Sequence, residues 1–181
     1  MIAVFEQKLR RVVGMASTPR ASRVIGSGPR AGVSFDVSVS THVTGVLEHA
    51  NGALSTLVMS FDVWAGRLPR IEVYGTDGSL SVPDPNGFDG EVSIFRGSDG
   101  SWEPVAEAGG YQGAARGYGV SDLASALVAG VPHRASGELA YHVLDVMESL
   151  LAAAASGGAV EVESTCSRPA PVPLGARPDA A

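Results

Sequence analysis

A chain of 181 residues with a formal net charge of −6 and a single cysteine excludes an internal disulfide framework and any Cys-x-x-Cys metal site. Its length suits one domain that buries about two thirds of the surface its unfolded chain exposes. With 23 Gly and 11 Pro, many turns are expected rather than long helices.

Residues 1 to 11 read as the end of a short amphipathic helix, and Val12-Val13 begins a strand that reaches Ala16. The basic residues Lys8, Arg10, Arg11, Arg20, Arg23 and Arg30 face only Glu6 in the first thirty positions. No aromatic platform or helix accompanies them, so they read as a solvated face and no nucleic-acid partner is expected. MIAVFEQKLRRVV interrupts its apolar residues with charge and lacks the core of a signal peptide. The segment 17–34 is irregular. Within it, Gly26-Ser-Gly28-Pro-Arg-Ala31 has the letters of a dinucleotide fingerprint. That motif works only between a strand and a helix N-terminus, and the period-two run Val33-Ser-Phe35-Asp-Val37-Ser-Val39 that follows is a strand pattern.

The chain is organised around Thr41 to Ser81. Two β-rich runs flank Asn51-Gly52, the dipeptide of a two-residue type I′ hairpin. If Ala50 faces Ala53, then Val43, Leu47, Leu54 and Val58 share one face, with Val46, Leu57, Met59 and Phe61 on the other. Both faces are apolar, so the sheet is expected to be covered twice, by helices and by another domain or subunit. A third strand, Ile71 to Tyr74, turns at Thr76-Asp77-Gly78.

Val82 to Gly87 is a turn cluster, and Glu91 to Phe95 reads as an edge strand. Residues 97 to 119 are loop-like, with Tyr111, Arg116 and Tyr118 in a glycine-rich stretch. Two helices follow, one over Ser121 to Val128 and one from Ser136. The second presents Leu139, Val143, Val146, Met147, Leu150 and Ala154 on its apolar stripe and Tyr141, His142, Asp145, Glu148 and Ser149 on its polar arc. Gly157-Gly158 ends it, and Ala159 to Ser164 reads as a last strand. The run Ser149 to Val160 is too short to cross a bilayer. No membrane partner is expected, and a cytoplasmic address is the default. The proline-rich tail, 167–181, has little reason to fold.

The four histidines, His42, His49, His133 and His142, show no metal-binding spacing, and no nucleophile elbow is present. Away from the Asn51-Gly52 turn, Thr41, His42, Phe61, Asp62 and Trp64 gather at the other end of the hairpin. His42, Asp62 and Trp64, with Arg116 folding over from its loop, are the candidate substrate-binding residues. The alternative is that His42 packs on Phe61, Asp62 caps a turn and Trp64 fills a core edge.

The runs THVTGVLEHANGALSTLVMSFDVW, LPRIEVYGTDGSLSVPDPN, RGYGVSDLASAL and PHRASGELAYHVLDVMESLL, in this order, resemble the C-terminal domain of the Gfo/Idh/MocA oxidoreductases, relatives of glucose-fructose oxidoreductase and inositol dehydrogenase. The similarity extends over about residues 10 to 173. It implies an α+β fold, a large and mostly antiparallel sheet with helices packed on one face, at residues 12–166. It also implies a homodimer through the open sheet face.

Complete members of that family carry a Rossmann domain and a Glu-Lys-Pro motif whose lysine is catalytic. Lys8 is the only lysine here and stands in Glu6-Gln7-Lys8-Leu9, without the proline. The resemblance thus implies the substrate-binding and dimerisation portion of an NAD(P)-dependent sugar or polyol oxidoreductase, which binds no NAD or NADP and is not catalytic alone. A free-standing binding module, or half of a split enzyme with a separate Rossmann partner, are the alternatives.

Overall fold

A computed structural model describes residues 8–176 apart from 88, 98–99, 107–108 and 112–113. Two compact units divide them. The first draws on the chain up to Ala65 and on Gly137–Arg168, the second on Gly66–Ser136 and the chain from Pro169 onward.

The first unit is a four-stranded antiparallel sheet with a helix on one face. Its strands are β1 (Leu9–Ser17), β4 (His42–His49), β5 (Leu54–Ser60) and β10 (Val160–Glu161), in the order β10-β1-β4-β5. A two-stranded ribbon, β2 (Ser22–Val24) with β3 (Ser34–Asp36), belongs to the same unit. Strand β1 starts where the end of a helix was expected, at Leu9. The rest of that expected helix, residues 1–7, lies outside the described residues.

A bulge at the start of β1 interrupts the strand alternation there. Leu9 pairs with His49 and Arg11 with Glu48, so Arg10 is the extra residue. Leu9 and Val12, which strict alternation would place on opposite faces, are both buried as a result.

The β4–β5 hairpin differs from expectation by one residue. Glu48 pairs with Leu54 and Leu47 with Ser55, and the His49 N–H donates to the Ala53 carbonyl at 2.9 Å. The loop is therefore Ala50-Asn51-Gly52. Only Gly52 takes a positive φ, 85°, as a three-residue loop with a glycine bulge requires. A type I′ turn would need it at Asn51 as well. The shift exchanges faces: Val43, Leu47, Leu57 and Met59 now share one, and Val46, Leu54 and Val58 the other.

Helix α2 (Gly137–Ser156) covers the first of these faces. Its Val146, Leu150 and Ala153 close the core with Leu9, Val12, Leu47 and Val162. The buried side of α2 is rotated from the expected stripe. His142 and Ser149, read as polar-arc residues, are buried, while Val143 and Met147 are exposed. The cause is polar. His142 and Asp145 turn inward to grip Ser164, in the segment after β10.

In the second unit, β6 (Ile71–Gly75), β7 (Gly78–Val82), β8 (Ser93–Phe95) and β9 (Trp102–Pro104) form an antiparallel sheet in sequence order. Strand β9 falls in the stretch read as loop. Helix α1 (Tyr118–Ala129) ends at Gly130, whose φ of 64° and N–H bond to Leu127 O close the last turn. The α+β class with antiparallel pairing holds, and its strands are shared among two four-stranded sheets and one ribbon. Among the described residues, no helix is long and apolar enough to cross a membrane.

Candidate functional site

At the end of the hairpin away from its turn, the ladder continues past the strands. The Thr41 N–H bonds Ser17 O at 3.0 Å, and the Phe61 N–H bonds Thr41 O at 2.8 Å. These two bonds fix Asp62 beside Thr41. Thr41 Oγ1 donates to Asp62 Oδ2 at 2.5 Å, and Ser60 Oγ accepts the Asp62 N–H at 3.1 Å. From β2, Arg23 Nη2 reaches Asp62 Oδ1 at 2.6 Å and Phe61 O at 3.0 Å. The Thr41 hydroxyl, and beyond it the charges of Arg23 and Arg20, hold the Asp62 carboxyl below the usual aspartate range, against the opposing effect of desolvation.

One atom at this place is buried without a partner, and one side chain is open to solvent. Arg23 Nε is buried and has no hydrogen-bond partner among the described residues. Trp64 is 89% exposed, with the Arg20 guanidinium 5.4 Å from its ring centre. An exposed indole with an arginine against its ring suits a hydroxylated or anionic small molecule, a stacking partner for the ring and a hydrogen-bond acceptor for the guanidinium.

Of the sequence candidates, Asp62 and Trp64 lie in this cluster. Asp62 spends both carboxylate oxygens on Arg23 and Thr41, so it orders the site rather than presenting a free acceptor. His42 stands opposite Ser17 and Ser60, on the sheet face away from α2. Arg116 belongs to the second unit, where its Nη2 donates to Asn86 Oδ1 at 3.2 Å. Sequence reasoning missed Arg20 and Arg23, which it placed on a solvated face. The signal lay in a single acidic residue at the hairpin end, but Arg23 and Asp62 are 39 positions apart and only the fold joins them.

A second polar cluster in the first unit unites His142, Ser164 and Asp145. Ser164 Oγ donates to Asp145 Oδ2 at 2.6 Å and lies 2.7 Å from His142 Nδ1. The hydroxyl's one proton goes to the carboxylate, so Nδ1 is the donor to Ser164. An activated serine would instead give its proton to histidine. The cluster is a brace, and the bonds from Ser164 hold the Asp145 carboxyl below the ordinary range. Among the described residues, no group of three or more His, Cys, Asp or Glu side chains is placed to hold a metal.

The Gly26–Ala31 stretch joins β2 to β3. The Ile25 N–H bonds Val33 O, and the Gly32 N–H bonds Ile25 O. It is the loop of a hairpin, and a strand follows it where a dinucleotide fingerprint would open a helix.

An antiparallel α+β unit with a covering helix, carrying an arginine–aspartate–tryptophan cluster at one end of its central hairpin, defines the class of domain. Residues 1–81 match the sequence profile of the GFO/IDH/MocA C-terminal domain; the chain resembles that domain of these oxidoreductases, and over this stretch it carries the domain's signature. No curated protein matches the sequence.

Among solved structures, a levoglucosan dehydrogenase in complex with NADH and L-sorbose aligns with a TM-score of 0.65 at 20% identity, covering 87% of this chain and 46% of its own. An oxidoreductase domain protein from Kribbella flavida aligns at 0.64 and 19% identity, over 87% of this chain and 47% of its own. An aldose-aldose oxidoreductase from Caulobacter crescentus, complexed with glycerol, aligns at 0.62 and 20%, over 86% and 42%. These likenesses show a shared fold. The chain spans less than half the length of each of these proteins.

Proposed function

We propose that this chain is the substrate-side and dimerisation portion of an NAD(P)-dependent oxidoreductase acting on sugars or polyols. The observation that carries the reading is the cluster at the hairpin end, where Trp64 is open with Arg20 against its ring and Arg23 is held by Asp62, in a fold shared with proteins whose structures are complexes with L-sorbose and glycerol. In this reading Trp64 and the two arginines orient the ligand, with His42 as a further contact within the same unit, and Asp62 holds Arg23 in place. The nicotinamide is bound by a Rossmann domain, and the proton is handled by a lysine of that domain.

The hairpin loop at Gly26–Ala31 supports assigning the cofactor to another part of the enzyme. A pyrophosphate needs converging N–H groups at a helix N-terminus. Titrating the chain with NADH is expected to leave the nucleotide's fluorescence unchanged, and saturable micromolar binding would count against this assignment.

Dimerisation is assigned to the sheet face opposite α2. Val13, Met15, Val46, Leu54 and Val58 are exposed on it. At one end the Arg11–Glu48 ion pair bounds it, and at the other Ser17, His42 and Ser60 do so. An apolar patch with a polar rim is the composition of an interface between copies.

The decisive experiment supplies the cofactor domain of a levoglucosan dehydrogenase, fused or in trans, and screens sugars and polyols for NAD(P)+ reduction. Turnover that falls with Trp64→Ala, through a raised KM, is expected. Sugar binding without turnover in any such pairing would instead identify a free-standing binding module.

A further inference from the structure

The proline-rich tail, expected to have little reason to fold, is tied down at Ala170 to Pro173. The prolines at 169, 171 and 173 have no N–H, so the segment can be held only through its carbonyls and its few remaining donors. The second unit supplies the matching donors. Arg134 Nε bonds Ala170 O at 3.0 Å, with Nη2 at a longer 3.5 Å from Pro171 O. The Gly110 N–H bonds Val172 O at 2.9 Å.

Both donors are set in advance. The guanidinium of Arg134 is clamped by the buried carboxylate of Asp122 on α1, which also accepts the Arg134 N–H at 3.2 Å. At Gly110, a Cβ would lie 2.1 Å from Pro173 O and 3.0 Å from a Val172 methyl. Only glycine admits the tail there. The next residue, Tyr111, takes a φ of 65°, the one positive φ outside glycine among the described residues. Its ring meets the edge of Tyr118, the first residue of α1, with centres 5.3 Å apart. A side chain held in that conformation costs energy that neighbouring contacts must offset.

We propose that residues 170–173 are a strap that sets the conformation of the Gly110–Tyr111 turn and, through Tyr118 and Asp122, the position of the first turns of α1. With the strap seated, turn and helix are one ordered body. With it displaced, Tyr111 leaves its strained conformation and the start of α1 loosens, while the first unit is unaffected. Arg116 lies between the two tyrosines, so displacement of the strap also changes how this arginine is presented. The inference is independent of the oxidoreductase reading.

Amide hydrogen exchange on the whole chain tests it with two variants, one ending after Arg168 and one carrying Gly110→Ala. The second keeps every tail residue and excludes only the seat. In both, exchange at 109–111 and 118–122 is expected to rise about tenfold or more, with β4 and β5 unchanged. Exchange at those positions equal to that of the unmodified chain would overturn the proposal. So would a rise that spreads equally to β4 and β5, since the tail would then be a general stabiliser. Arg134→Lys, which keeps a charge for Asp122 but loses the planar fork, is expected to give the same pattern at smaller amplitude.

Discussion

Gly14 on β1 faces Gly45 on β4, and the gap left by their missing side chains admits Leu150 of α2 against the sheet backbone. A Cβ at Gly45 would sit 2.5 Å from Val13 O and 2.6 Å from a Leu150 methyl. At Gly14 the nearest atom, Leu150 O, is 3.0 Å away. The Gly45 site is pinched between strand backbone and helix side chain, whereas at Gly14 the neighbouring helix carbonyl has to give way by only a few tenths of an ångström.

Gly45→Ala is therefore expected to destabilise the first unit by about 1–3 kcal/mol, the usual cost of overpacking. Gly14→Ala should cost less. Urea unfolding followed by far-ultraviolet circular dichroism gives both values. Equal stability of Gly45→Ala and the unmodified chain would mean that α2 does not rest on this pair.

What the sequence made legible was periodic and local. The hairpin strands, the turn at Thr76-Asp77, both helices and the end of α2 at Gly157 could all be read from alternation and turn chemistry. The family resemblance was legible too, because its residues recur in order. Three features were hidden. The bulge at Arg10 broke the alternation that would have revealed β1 from Leu9. The choice between a two- and a three-residue loop at Asn51-Gly52 rests on a single backbone angle. The inward turn of His142 depends on Ser164, a partner 22 positions away. In the candidate site, Asp62 and Trp64 were visible as polar and aromatic residues at a hairpin end. Arg20 and Arg23 were not, since only β2 and the residues just before it carry them there.

The corrected register separates two substitutions that look alike in sequence. Val58 points from the open face and Leu57 from the face under α2. Val58→Lys is expected to leave the fold intact and shift the chain toward monomer, as read by light scattering after size exclusion. Leu57→Lys is expected to lower the melting temperature, because its charge would meet the core. A Val58→Lys chain that still elutes as a dimer would remove the open face as the interface.

Ser164→Ala tests the brace between α2 and the segment after β10. His142 is 3% exposed, and without the hydroxyl its Nδ1–H would lose its acceptor. Leaving such a donor unsatisfied costs about 1–3 kcal/mol. Ser164→Thr retains the hydroxyl and should restore most of the loss. Denaturation of the pair shows whether the hydroxyl or the packing matters.

Asp62 links stability at the site to pH. Its folded-state pKa lies below the ordinary aspartate value because the charged form is held by Thr41 and Arg23. A depressed pKa stabilises the fold at every pH above the unfolded value. That stabilisation is lost as pH falls through the folded one. Asp62→Asn keeps the shape and an acceptor for Thr41 but not the charge that faces Arg23. At neutral pH the variant should therefore melt below the unmodified chain, and the gap should close as pH drops beneath the usual aspartate range. The Arg23→Gln variant removes the other half of the pair and should show the same closing gap. In the reconstituted enzyme, both should raise KM more than they lower kcat, since one displaces a positioned arginine, the other removes it, and both leave the reacting groups untouched. A melting difference for Asp62→Asn that stays constant down to the lowest pH would show that the carboxylate's charge contributes nothing to the fold, and Arg23 would need another anchor.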